Sequence, residues 1–183
     1  MRIAMLTAAV LMASALPAAA AKVDDATAVK MAMPETLVTS GDVTAAERAS
    51  ILKPVDAFYG FWTNGSQALL DAAISPQFFD HTLPPGRPQG PSGPAAASKA
   101  FLAAVPDLKV TVIQRIVVKD RVVSHMRFTG HFTGKFRGIR GEGQTVDFIA
   151  TDILKVSNGK ITDNWHLEDN LTFLTQIGAV SSQ

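Results

Sequence analysis

The chain has 183 residues, 47% of them hydrophobic, and a formal net charge of +1. That length and composition suit one compact globular domain, and so nearly neutral a balance gives no electrostatic reason to expect a nucleic-acid partner. Cysteine is absent, which excludes disulfides, thiolate catalysis and cysteine-rich zinc sites.

Residues 1–21 read as a secretory signal peptide: Arg2 precedes an apolar run from Ile3 to Leu16, then Pro17 and four alanines. Cleavage is expected after Ala20 or Ala21. The run is shorter than the ~20 apolar residues of a membrane span, so no stable membrane anchor is expected. The mature protein is expected to be periplasmic or secreted. Residues 22–43 show no sustained period and read as an extended N-terminal arm, with Met31, Met33, Leu37 and Val38 available to dock on the body. The domain proper is expected over residues 44–179, with 180–183 a frayed tail.

Thr44-Ala45-Ala46-Glu47 is a capping-box pattern, in which hydroxyl and carboxylate satisfy free amides at a helix start. Ile51, Val55, Phe58, Tyr59 and Trp62 recur at helical spacing beyond it and form one apolar stripe. Pro54 predicts either a kink or a start near Lys53. Asn64-Gly65 ends this helix, and Ser66 to Ala73 reads as a second, short one. Pro76 to Gly93 is dense in proline and glycine and reads as an irregular loop of the kind that displays functional side chains; it holds Asp80, His81 and Arg87. Ala95 to Val105 reads as a third helix, ended by Pro106.

From Leu108 the period changes to alternation. Lys109–Val118 and Arg121–Phe132 flank a Lys119-Asp120 turn as a hairpin. A regular register puts Val110, Val112, Gln114 and Ile116 on one face with His125, Arg127, Thr129 and His131. The other face, with Ile113, Val117, Val122, Met126, Phe128 and Phe132, is the expected core side. Thr133 to Gly143 is a glycine-rich crossover. Its Lys135, Arg137 and Arg140 lack phosphate-loop spacing and read as a solvated turn region.

A second hairpin follows around Asn158-Gly159, the strongest short-range turn signal because both residues tolerate positive φ. Pairing outward from Ser157 with Lys160 and Val156 with Ile161 sets Leu154 against Asp163 and Asp152 against Trp165. It then sets Ala150 against Leu167 and Phe148 against Asp169. On that register Asp152, Trp165 and Asp169 share one largely apolar face. A one-residue bulge would move Asp169 to the other side. Three N-terminal helices, about four long antiparallel strands and a short closing helix make an α+β pattern with helices on one face of the sheet.

Several motifs in combination resemble the SnoaL-like polyketide cyclases, also labelled ester cyclases, of the ketosteroid-isomerase-like superfamily. They are Asp80-His81 with Pro84-Pro85-Gly86, Pro106-Asp107-Leu108, the glycines Gly130, Gly134 and Gly138 around Phe136, and Asp152-Ile153. Gly159-Lys160-Ile161, Trp165 with Asp169, and Gln176-Ile177-Gly178 complete the set. The resemblance covers about Ala45 to Gly178. One departure is that Gly130-His131-Phe132-Thr133-Gly134 stands where the family usually reads Gly-Thr-His-Thr-Gly; another is His125 in place of a common arginine. The resemblance implies a cone-shaped sheet around an apolar pocket, frequent homodimers through the sheet, and intramolecular aldol ring closure without metal or organic cofactor. It implies Asp169 as the pocket acid/base residue with Asp152 beside it and His81 near the entrance.

A carboxyl in an apolar pocket has its charged form disfavoured, which raises its pKa toward the acid/base range. Structural readings stand beside this one. Asp152 can accept the Trp165 indole hydrogen, and Asp169 precedes the last helix, where capping is natural. The expected pocket walls are Trp165, Phe148, Met126, Phe128 and Phe132. Tyr59 is a core residue able to turn its hydroxyl inward. His166, opposite Trp165 on a regular strand, reads as a sheet-face residue and a possible ligand contact. His125 and His131 share a face but lie roughly 20 Å apart at ~3.3 Å per residue, too far for one metal ion. Surface or interface histidines are the better reading of that pair. The function expected is a cofactor-independent cyclase or isomerase of a small apolar carbonyl compound. The alternative is a non-catalytic module that binds such a compound.

Overall fold

The computed structural model describes residues 22–181. The signal-peptide reading of residues 1–21 therefore lies outside the described residues. Residues 22–43 are not an extended arm. Asp24 caps a helix α1 (Asp25–Met31) through its bond to the Thr27 amide, and β1 (Thr36–Thr39) follows. Buried Ala28 and Ala32 anchor this segment to the core, a load carried by small residues that make no visible stripe.

α2 (Ala45–Asn64) begins at Thr44 with both capping-box bonds present. It runs unbroken through Pro54 and stops at Gly65, whose φ of 72° is left-handed and available to glycine without strain. Its stripe buries Val55, Phe58 and Tyr59 completely or nearly so. α3 (Gln67–Ala73) leads into β2 (Ile74–Asp80), and α4 (Ser92–Ala104) follows the proline-rich turn. The first part of the expected irregular loop is thus a strand. It is an edge strand, the position where Pro76 is tolerated without costing a ladder bond.

The remaining elements are β3 (Lys109–Val118), β4 (Arg121–Phe132), the small ribbon β5 (Lys135–Phe136) and β6 (Ile139–Arg140), β7 (Gln144–Ser157), β8 (Lys160–Glu168) and α5 (Asn170–Gln176). The main sheet has the order β1-β3-β4-β7-β8-β2. Its four central strands are antiparallel, as expected, but β1 and β2 add parallel edges. The α+β architecture, the hairpins and the closing helix agree with the sequence reading. Four helices rather than three precede the long strands.

Two bulges decide which side chains meet. In β3, Val112 pairs with Met126 and Gln114 with His125, leaving Ile113 as the extra residue. Val110 and Val112 consequently join Met126 and Phe128 in the core, a correction to the regular register. In β8, Val156 pairs with Ile161 but Lys155 with Asp163, leaving Thr162 as the extra residue. Every later position of β8 is inverted relative to a regular hairpin.

The crossover is seated by close backbone approach. A Cβ on Gly134 would stand 1.9 Å from the Ala103 carbonyl oxygen, and the Gly134 amide donates to Ala104 O at 2.9 Å. Glycine alone permits that contact, which lays the β5–β6 ribbon against α4. On the outer face of the sheet Ile149, Ile153 and Leu167 are exposed, among them Leu167 at 77%. No helix of the described residues is long and apolar enough to cross a membrane.

Candidate active site

The bulge at Thr162 places Asn164 opposite Leu154, His166 opposite Asp152 and Glu168 opposite Ala150. Paired residues share a face, so Asp152, Asn164, His166 and Glu168 point together between the sheet and the helices. α2 supplies Phe58, Tyr59 and Trp62 from the far side, and α4 supplies Phe101. Phe128 and Phe148 stack at 5.1 Å, and Phe148 meets Phe173 of α5, also at 5.1 Å, which closes one end. The result is an aromatic pocket with one polar wall. It holds ≈ 590 Å³ of atom-free space, of which only ≈ 30 Å³ is open to water-sized spheres. That is room for one or two waters, so side chains must move apart before a ligand enters fully.

The polar wall is a continuous hydrogen-bonded row. The Tyr59 hydroxyl donates to Asp152 Oδ2 at 2.9 Å. Asn164 Nδ2 donates to Asp152 Oδ1 at 3.2 Å, and His166 Nδ1 lies 2.6 Å from the same oxygen. The other imidazole nitrogen, Nε2, is 3.1 Å from Glu168 Oε2. Asp152 is 2% exposed and its carboxylate has three partners, an arrangement that fixes it and leaves little capacity to accept a further proton donor. The His166 backbone amide donates to Thr82 Oγ1 at 2.7 Å, tying the strand to the turn after β2.

Burial is the largest single influence on His166 and works against a charged ring. The adjoining Asp152 and Glu168 carboxylates together outweigh it and hold the imidazolium up to about 10. Both ring nitrogens then carry hydrogens, one donated to each acid. Burial first, and the Asp152 charge second, push the Tyr59 phenol well above its ordinary value, so it stays a neutral donor. Beneath Tyr59 lies a fully buried guanidinium: Arg115 stands 5.2 Å from the ring centroid, pairs with Asp56 and donates to Ser124 Oγ at 3.3 Å. Its charge works against that rise in the Tyr59 phenol without reversing it.

Two buried acceptor atoms of the wall have no partner, Glu168 Oε1 and Asn164 Oδ1. A buried acceptor without a donor costs roughly 1–3 kcal/mol. Both side chains line the pocket, where a water or a ligand's hydrogen can satisfy these atoms.

Of the residues singled out from the sequence, Asp152, His166, Tyr59, Met126, Phe128 and Phe148 line this pocket, as do Asp80 and Arg87 of the expected loop and Phe58 and Trp62 of the helix stripe. Asp169 does not. It caps α5, accepting from the Thr172 amide at 3.0 Å and the Thr172 hydroxyl at 2.7 Å, and these bonds hold its carboxyl below the usual range. Trp165 faces outward with its strand neighbours and stacks on exposed His81 at 4.1 Å between ring centroids. His81 bonds Asp163 at 2.8 Å and lies outside the pocket lining. Phe132 is fully buried in the core without lining the pocket. His125 bonds Thr151 on the outer sheet face and His131 pairs with Asp107 at the surface, in keeping with their reading as surface groups. Among the described residues no group of three or more His, Cys, Asp or Glu side chains is arranged to hold a metal ion.

Glu168, Asn164 and Arg115 were not anticipated. The alternation of Asn164, His166 and Glu168 is a period-two polar row legible in the sequence, but its face is fixed only by the bulge.

The family model described as "SnoaL-like polyketide cyclase" matches residues 54–177. Among solved structures, the chain is similar to a candidate polyketide cyclase from Bacillus cereus ATCC 10987. The identity is 36% over 83% of this chain and 96% of that one, with a TM-score of 0.75. TsrD from Streptomyces laurentii is 27% identical over 73% of this chain and 98% of its own, with a TM-score of 0.65. IdmH from Streptomyces antibioticus, at 24% identity over 70% and 98% of the two chains and a TM-score of 0.62, shares the fold. No curated protein matches the chain.

Proposed function

Because the chain belongs to the SnoaL-like polyketide cyclase family, we propose that it is an acid/base cyclase or isomerase of a small carbonyl compound with Glu168 as the proton-transfer group. The observation that carries this reading is the unpartnered, buried Glu168 Oε1 at the end of the Tyr59–Asp152–His166–Glu168 row. Catalytic proton transfer needs a group within hydrogen-bond reach of the proton it takes, and of the two open acceptors Oε1 is the one on a carboxylate, able to take a proton.

In the ring-closing form, Glu168 Oε1 takes a proton from the carbon beside a carbonyl. The C–H electron pair becomes an enolate, whose oxygen charge the His166 imidazolium and the Tyr59–Arg115 side of the pocket favour. The enolate carbon then attacks a second carbonyl of the same molecule. A C–C bond forms, and the new alkoxide recovers the proton from Glu168. Nothing is gained or lost overall, so product and substrate are isomers. Asp152 orients His166 and keeps it charged. Phe58, Phe101, Phe128 and Phe148 exclude water and hold the chain folded near the reacting geometry, a positioning effect that can supply much of the acceleration.

The test compares wild type with Glu168→Gln in extracts of the source cells, followed by chromatography with mass detection. A peak of unchanged mass and altered retention, formed by wild type and slowed ~10²–10⁴-fold by the variant, is expected. Equal conversion by both proteins refutes the role of Glu168. A compound bound and returned unaltered by both supports the alternative, a binding module without chemistry.

A further inference from the structure

Outside the aromatic pocket lies a broader vestibule, with ≈ 610 Å³ open to water, between the proline-rich turn, α4 and the β5–β6 ribbon. The two spaces share Arg87, Phe101, His166 and Glu168 in their walls. The vestibule is within the size range of small-molecule sites, whereas the side chains of the inner pocket, as packed here, leave little open space. A substrate whose reactive end reaches Glu168 therefore has its body in the vestibule.

The charge there is one-sided. Arg87, Lys135 and Arg137 line the vestibule, and none of the three side chains has a carboxylate partner among the described residues. The one acid in the wall, Glu168, already faces the His166 imidazolium. Arg87 is also presented rigidly. Its amide closes a turn onto Pro84 O at 3.1 Å, with Pro85 and left-handed Gly86 (φ 81°) at the centre. That is the pattern of a type II turn, and Pro88 further restricts Arg87 from the other side. The turn fixes where the side chain leaves the backbone, and the guanidinium's fork of donors matches a planar two-oxygen anion.

We propose that the vestibule selects a substrate bearing a free carboxylate, held by Arg87 with Lys135 and Arg137, while its carbonyl end reaches into the aromatic pocket. This rests on the acid/base reading of Glu168 for what happens next, but not for binding. It names the substrate class more narrowly than an apolar carbonyl compound: a carbonyl compound that is an acid, not its ester.

The probes are 2-naphthoate and methyl 2-naphthoate, matched in shape and differing in charge, titrated by calorimetry at low ionic strength. Wild type is expected to bind the acid at least tenfold tighter than the ester. Arg87→Gln is expected to cut that preference to less than threefold, and the triple change Arg87→Gln, Lys135→Gln, Arg137→Gln to abolish it. Unchanged ester affinity in each variant shows that the fold and the apolar contact survive. Glu168→Gln keeps the preference even though turnover is lost, which separates this proposal from the catalytic one. Equal affinity for acid and ester in wild type overturns it. So does a preference that survives the triple change. Displacement of naphthoate by inorganic phosphate, with ester binding undisturbed and the acid and ester then equal in affinity, is the expected competition result. Binding of both probes untouched by phosphate, with the preference intact, places the anion elsewhere and also refutes the assignment.

Discussion

Asp152→Asn gives the most direct check on the polar wall, because it removes one charge and leaves the shape. In the wild type two carboxylates flank the His166 ring at 2.6 and 3.1 Å and hold its pKa up to about 10 against burial. With charge centres about 4 Å apart and an effective dielectric constant near 20, one such pair is worth about 4 kcal/mol, or about 3 pH units. The variant's imidazole should therefore titrate near neutrality. The assay is side-chain NMR of the four histidines between pH 5 and 11. In wild type the His166 ring stays protonated past pH 9, and in the variant it does not. If the wild-type His166 ring titrates by pH 7.5, the charged His166 and the mechanism built on it are wrong.

The same group sets a stability profile. Its folded pKa lies above the unfolded value of about 6.5, so it stabilises the fold. That contribution is fully present below pH 6.5 and is lost as pH rises through about 10. Its full size is of the order of 5 kcal/mol. Denaturant midpoints of wild type should fall across that alkaline window, and those of Asp152→Asn should be much flatter there.

Two further outcomes follow from placement. Asp169→Ala removes only a helix cap, so it should lower the melting temperature by about 2–4 °C and leave turnover within about twofold of wild type; a thousandfold loss of turnover would return Asp169 to the chemistry. Intact-mass measurement of the protein taken from its source cells should give a chain beginning at Ala21 or Lys22 if residues 1–21 are a cleaved leader, and a chain that retains Met1 or begins at Arg2 would refute export by that route.

The contrast between what could and could not be read is clearest within one hairpin. Asn158-Gly159 announced its turn, and the pairs Ser157–Lys160 and Val156–Ile161 are those expected. One residue later Thr162 bulges, and nothing in local propensity marks it. Thr162 and Asp163 are both polar and satisfy each other through a 2.7 Å bond, so either could be the extra residue. The burial pattern then argued for the wrong side. Trp165 and Leu167 are the bulkiest apolar residues of β8, and a strand ordinarily turns such residues inward. Here they face out, Leu167 almost wholly exposed, while Asn164, His166 and Glu168 face in.

That inversion has a cost, which is why it points to function. Burying two acids and an imidazole under four phenylalanines spends stability that Trp165 and Leu167 in the same places would have supplied. A wall of this kind is tolerable only when its charges answer one another, and the Asp152–His166–Glu168 row does so at every atom but one carboxylate oxygen. Arg115, fully buried below Tyr59 and paired with Asp56, extends the compensation one layer deeper into the core. The sequence signals that failed, proline-bearing β2 and short β1 read as irregular, failed for a plainer reason: each is an edge strand whose existence depends on a neighbour distant in the chain. The inner register failed because a one-residue bulge overrode the apolar pattern, and a strand that breaks its own inside–outside rule is where a site should be sought.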